Sequence, residues 1–313
     1  DGGLSINGNL IDAVVDTGQT IHSGDFVECK TYTQSVQWST IDYEGGKSVD
    51  LGGGYFAFLL YQYKGATEST QIGLLQLVKQ TNYGLDLVEN VASEVGDICF
   101  YNNKLYVHKL STTSSILVYS LSSGKLNLLS TNSGPSTINV YNMFVSGNTL
   151  YALHRGSAIS DISISKYTIS GNNATFSTTI TASILASQAT SYFIGNAVVI
   201  GTIVYMMYGD MRSNGYRYLG LLKLNCTDAT KEMVQIDYAT TTIYKNANVL
   251  KLEGNYILFI HQVYQSTISD KCTLINTQTM EKDSTFNMSI KAMQGVGSDY
   301  GIKFTFAENI TLT

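Results

Sequence analysis

Apolar and polar positions along this chain repeat one short phrase: an apolar strand, a Gly/Asn turn, a second strand of Tyr, Phe, Leu, Ile or Val, a polar loop, then a third strand. The phrase reads GGGYFAFLLY from Gly52, NNKLYVH from Asn102, GNTLYALH from Gly147, GTIVYMMY from Gly201 and GNYILFIH from Gly254. In Ser115–Leu121, Asp161–Ile169 and Leu219–Asn225, polar or small residues interrupt apolar ones at short intervals, as strands require. β-Branched and aromatic residues dominate these runs, with 22 Tyr and 11 Phe in the chain, and a pleated backbone accommodates them well. A 3.6-residue period is hard to find anywhere.

Anchored on Phe56, Leu105, Leu150, Val204 and Ile257, the second strands recur at steps of 49, 45, 54 and 53 residues. A period near fifty with three or four strands per repeat predicts a β-propeller, in which each unit buries its faces against its neighbours. The clearest repeat places Asp97–Tyr101 as inner strand, Lys104–Lys109 as second, Ser114–Leu121 as third and Leu126–Ser130 as outer strand. Its turns are Asn102-Asn103 and Ser122-Ser123-Gly124-Lys125, which contain residues that tolerate φ > 0. Blades are expected near 47–92, 95–130, 139–180, 195–237 and 246–289. Asp25–Tyr32 and Ser35–Ile41, together with Ile290–Gly295 and Tyr300–Phe306, offer four more strands. They predict a composite blade of 25–45 with 290–313 that closes the ring and removes exposed sheet edges. Residues 1–24 read as a lead-in packed on the propeller, with a short strand through Ile11, Ala13 and Val15. The expectation is a single all-β propeller of about six four-stranded blades, with five or seven as alternatives.

Composition narrows the class. Hydrophobic residues make up 44% of the 313, enough for a large core, and charged residues only 14%. The surface is therefore Ser-, Thr-, Asn- and Gln-rich, a character common in secreted and virion β-proteins. The net charge of -5 and the absence of a basic cluster argue against nucleic acid. No apolar run approaches the ~18 residues of a membrane span, and no stretch reads as a secretory leader. Cys29, Cys99, Cys226 and Cys272 show no CxxC or Cys/His spacing, so no zinc site is expected. They read as isolated small hydrophobes, with one disulfide as the alternative. The N-x-S/T matches at Asn173, Asn225, Asn287 and Asn309 carry weight only in a eukaryotic secretory setting.

Three histidines, His108, His154 and His261, lie near the ends of repeat second strands. Imidazoles from different blades facing one channel are a candidate metal or catalytic set, set against strand-end residues half-covered by loops. The loops after the second strands gather on one face. The richest, Gly209–Tyr218, offers Asp210, Arg212, Asn214, Tyr216 and Arg217, and its neighbours add Arg155 and Tyr264. Planar donors, an acceptor and an aromatic platform are the mix that contacts a sugar or a protein loop. Tyr61, Tyr106, Tyr119, Tyr151, Tyr205 and Tyr208 read as packing between blades. Asp boxes, G-x-S-x-G, phosphate loops and EF-hand loops are absent, so no enzymatic activity, cofactor or metal is expected.

The segment TGQTIHSGDFV, Thr17–Val27, resembles a β-hairpin lead-in of tail and other virion proteins of phages and prophages of Firmicutes, where it precedes loosely repetitive propeller-like sequence. The resemblance implies a virion protein without catalysis, whose blade loops meet other virion or surface proteins or a host glycan, within a homo-oligomer or larger assembly. Two other readings stand beside it. One is a secreted carbohydrate-active propeller enzyme, a glycoside hydrolase or lyase, with two facing carboxylates. The other is a bacterial surface or periplasmic scaffold.

Overall fold

The structure, a computed structural model, describes residues 4–6, 9–11, 31–33, 43–62, 72–81, 84–110, 114–136, 140–156, 158, 161–184, 189–212, 217–239, 243–252, 254–264, 268–288 and 301–303. Every regular element among them is a strand. Unit one comprises β4 (Tyr43–Gly52), β5 (Tyr55–Gln62), β6 (Ile72–Thr81) and the first half of β7 (Gly84–Tyr101). Unit two takes the second half of β7, then β8 (Lys104–Lys109), β9 (Ser115–Ser122) and β10 (Lys125–Ser133). Unit three is β11 (Val140–Ser146), β12 (Thr149–Arg155), β13 (Asp161–Ser170) and β14 (Asn173–Ser183). Unit four is β15 (Ala189–Ile200), β16 (Ile203–Arg212), β17 (Arg217–Asn225) and β18 (Lys231–Ala239). Unit five is β19 (Ile243–Lys251), β20 (Tyr256–Tyr264), β21 (Ile268–Asn276) and β22 (Glu281–Met288).

Each unit is an antiparallel meander with its strands in sequence order. Units one and two are one seven-stranded sheet, because β7 pairs with β6 through residues 84–95 and with β8 through residues 95–101. The separate blades read at 47–92 and 95–130 therefore share a strand. The sequence conceals this, since Val91-Ala92-Ser93-Glu94 resembles a linker. The chain turns there with Glu94 at φ 59°, and Leu110 N–H donates to Glu94 O at 2.6 Å.

A repeated irregularity marks every unit. The first-to-second pairing carries a register shift in all five, between Tyr43/Gly46, Val95/Asp97, Val140/Asn142, Ile194/Ala197 and Lys245/Asn248. The third-to-fourth pairing is also shifted in all five. The second-to-third pairing is regular throughout. Bulges bend a strand and raise its right-handed twist, so each unit is twisted at both edges around a regular middle. The turns follow the sequence. Asn102 and Asn103 adopt φ 50° and 58°, and Ser123 and Gly124 adopt φ 54° and 72°.

The units stack face to face, with β4 against β7, β7 against β11, β11 against β15 and β15 against β19. The first strands thus form a continuous inner seam, the arrangement of propeller blades about an axis. Side chains of the middle strands alternate between two neighbours. In unit three, Tyr151, Leu153 and Ile164 pack with Val204, Met206 and Leu222 of unit four. The intervening Leu150 and Ala152, with Tyr167, pack with Tyr106, Ile116 and Val118 of unit two. Units one and two meet through Leu59, Leu75, Leu105 and Val107, and units four and five through Tyr205, Leu221, Ile257 and Phe259. Each large apolar side chain so buried stabilises by about 1.5–3 kcal/mol. Tyr106, Tyr119, Tyr151, Tyr205 and Tyr208 are all buried in these contacts, as their pattern implies. Lysines fasten neighbouring hairpins: Lys166 Nζ donates to Thr227 O at 2.7 Å, and Lys104 reaches Gly171 O.

Among the described residues, Phe58, Leu60 and Val78 of unit one form a buried cluster of their own, and so do Leu252 and Leu258 of unit five. The ends of the chain meet in one antiparallel pair, β3 (Thr31–Thr33) with β23 (Gly301–Lys303). That is two strands, where the sequence predicts a four-stranded composite blade; the rest of 25–30, 35–41, 290–295 and 304–306 lies outside the described residues. A hairpin of β1 (Leu4–Ile6) and β2 (Asn9–Ile11) stands at the N-terminal side. Ala13, Val15 and the Thr17–Val27 segment also lie outside the described residues.

Candidate functional site

The inner seam holds a largely buried ion pair. Lys47 on β4 places Nζ 2.9 Å from Asp97 Oδ2 on β7 and donates to Met143 O on β11 at 3.4 Å. One ammonium therefore spans the first strands of three consecutive units. The Asp97 side chain is 2% exposed and that of Lys47 30%. Asp97 also accepts hydrogen bonds from the backbone at Ile98 and Met143. Burial pushes its carboxyl above the usual carboxylate range, against the opposing pull of Lys47. The bulge between Val95 and Asp97 leaves Gly96 outside the ladder, and a Cβ there would lie 2.9 Å from Val140 Cγ2. Glycine is what lets β11 approach closely enough for Met143 to meet the ion pair.

His108 pairs across the ladder with Asp97 and is fully buried. Burial, reinforced by the neighbouring His154, holds its pKa down to about 3. His154 is 5% exposed, and burial lowers its pKa as well. Its tautomer follows from its partners. Nδ1 lies 3.0 Å from Arg155 O, a carbonyl that can only accept, so Nδ1 carries the proton. Nε2, 2.9 Å from Ser165 Oγ, then accepts from that hydroxyl. Ser165 in turn accepts from Thr179 Oγ1 at 3.0 Å. A serine hydroxyl on an oriented imidazole has the connectivity of an activated nucleophile. Ser165, however, is 0% exposed, so the chain Thr179–Ser165–His154–Arg155 acts as a pin across unit three. Among the described residues no three His, Cys, Asp or Glu side chains gather as a metal site. The side chain of His261 lies outside the described residues. Cys99 and Cys226 are free and buried, with thiols pushed up to about 12 by burial.

The loop-face residues divide. Arg155 and Arg212 end β12 and β16, Arg217 begins β17, and Tyr264 ends β20. All four mark the same loop end of three consecutive units. Asn214 and Tyr216 lie outside the described residues. Asp210 requires a correction: it belongs to β16, is 1% exposed, and accepts from Tyr208 Oη at 3.3 Å. The pairing of β16 with β17 continues to Met211↔Arg217, so Asp210 lies within the ladder, between Tyr192 and Tyr218, and not in the loop. Sequence reasoning missed Lys47, Asp97 and Ser165 as a set. The inner ion pair joins residues fifty positions apart. Ser163 and Ser165 look solvent-facing in the alternation of Asp161–Ile169, although both are buried.

Two outcomes follow. Lys47→Met strands a buried carboxylate and should cost about 3–5 kcal/mol in denaturant unfolding. Asp97→Asn keeps an acceptor for the backbone and leaves a lysine able to reach water, and should cost about 1–2 kcal/mol. Equal losses would contradict the assignment. The second outcome concerns pH. Histidines depressed in the fold contribute stability that is complete above their unfolded pKa near 6.5 and declines as pH falls toward 3. The raised Asp97 has the opposite sign in its own window. Denaturant midpoints should therefore fall from pH 7 to pH 4.5, and the fall should be shallower in the H108Q/H154Q double variant; identical slopes would contradict it.

No family model matches the sequence, and no curated protein matches it. Among solved structures, an α-L-arabinofuranosidase from Clostridium thermocellum aligns over 86% of this chain and 97% of that one, at 12% identity and a TM-score of 0.45. The β-propeller domain of the Trilobed protease from Pyrococcus furiosus aligns over 85% and 79%, at 9% identity and a TM-score of 0.43. A Dyadobacter fermentans protein of unknown function aligns over 85% and 87%, at 11% identity and a TM-score of 0.44. At this level of likeness nothing about the activity of this chain follows from them.

Proposed function

We propose that this chain is a non-enzymatic structural and binding protein, a phage or prophage virion component whose loop face meets assembly partners or a host glycan. The observation that carries this reading is the use of the inner charges: Lys47 and Asp97 are engaged with each other and with the backbone of a third unit, holding strands together. Arg155, Arg212, Arg217 and Tyr264, by contrast, mark one loop end of units three to five, where planar donors and an aromatic ring suit a partner surface. The virion setting rests on the resemblance of Thr17–Val27 and on a surface poor in charge. In this reading, the segments around β3 and β23 complete a sixth unit between the apolar faces of Phe58, Leu60 and Val78 and of Leu252 and Leu258.

The test is electron microscopy of particles from the source culture, labelled with antibody to the purified chain. Labelled virions or tails are expected, with no release of reducing ends from a glycan library. Unlabelled particles together with efficient glycan turnover by the monomer would overturn the reading.

A further inference from the structure

A cleft of about 820 Å³ opens between units one and two, lined by Leu74 of β6, by β7 from Asn90 to Glu94, and by residues of β8, β9 and β10. Its lining includes Glu94, a non-glycine residue held at φ 59°. Such backbone conformations are costly and recur at ligand sites. The outer strands are tied by Glu89 Oε1, which accepts Leu126 N–H of β10 at 3.0 Å. That bond occupies an edge amide that an incoming peptide strand would need.

The walls combine two kinds of surface. Leu74, Val91, Leu117, Tyr119 and Leu128 provide an apolar floor and lip. Leu128 is 53% exposed, a large apolar side chain left open to solvent at the cleft. Asn90, Glu94, Lys109, Thr131 and Ser133 provide the polar groups. Asn90 is oriented from behind: Gln76, fully buried, donates Nε2–H to Asn90 Oδ1 at 2.8 Å. That bond leaves the Asn90 amide NH2 as the donor available to the cleft. Glu94 and Lys109 carry opposite charges into the same space.

Alternating hydroxyl donors and acceptors on an apolar ring face are the chemistry of a sugar. A fixed amide donor, a carboxylate acceptor and an ammonium donor around an apolar floor complement it, and the volume lies within the range of small-ligand sites. We propose that the cleft between units one and two binds a neutral oligosaccharide, with Asn90, Glu94 and Lys109 bonding its hydroxyls and the Tyr119–Leu117 floor under its rings. This site is separate from the loop face of units three to five and does not depend on the proposed assembly role.

The test uses the full chain and a panel of neutral tri- and tetrasaccharides spanning α- and β-linked hexose and N-acetylhexosamine units, read by saturation-transfer NMR and titration calorimetry. At least one should bind, N90A and K109M should each weaken it by about fivefold or more, and T175A, on the exposed face of β14, should leave it unchanged. Melting curves report whether each variant is folded. If N90A melts early, Glu94→Gln, an exposed side chain, tests the same wall. No binding by any saccharide, equal affinity in folded cleft variants, or loss in T175A would overturn the site.

Discussion

The middle strands of each unit bury side chains on both faces, and the rest of the structure depends on that double coverage. Leu105 and Val107 turn to unit one while Tyr106 turns to unit three. Tyr205 and Met207 turn to unit five while Val204 and Met206 turn to unit three. A unit separated from its neighbours would expose two apolar faces at once, so stability belongs to the stack. The outer strands are another matter. β10 and β14 are largely exposed, and their residues are where polar composition matters for solubility.

A stack built only of greasy faces would slide. The inner seam supplies register through polar contacts that tolerate little displacement. Lys47, Asp97 and the Met143 backbone lock three first strands together, and the Thr179–Ser165–His154 chain locks three strands within unit three. Buried charges of this kind contribute little net energy compared with apolar replacements, but breaking one partner is costly. Their effect is to make one arrangement of the strands better than its shifted alternatives. The seam thereby gives Lys47 and the buried Asp97 a part in holding the strands in place.

Strands and turns were legible because their signals are local. The paired asparagines at 102 and 103 and the Ser123-Gly124 turn fall at positive φ, where such residues are tolerated. The buried tyrosines of the second strands β8, β12 and β16 are legible too, from their place in the repeated phrase. The shared strand β7 was not, since a bulged continuous strand and a loop between two strands have similar composition. The recurrent bulges left no residue signature, because they follow from twist and packing. The sequence suggests a loop from Gly209, whereas β16 runs four residues further, to Arg212, which takes Asp210 from solvent to interior. The cleft between units one and two depends on Gln76 orienting Asn90 across a ladder, a relation invisible in linear order. The ion pair of the seam is equally silent, since a lone Lys in GGKSVD and a lone Asp before ICFY carry no mutual spacing rule.

Native-state hydrogen exchange tests the shared-face account most directly. Amides of β8, β9, β12, β13, β16 and β17 should exchange last and with one common free energy, that of global unfolding, while β10 and β14 exchange earlier. Middle strands of one unit opening on their own, with a free energy well below that of the adjacent units, would show that the units are stable alone and would contradict it.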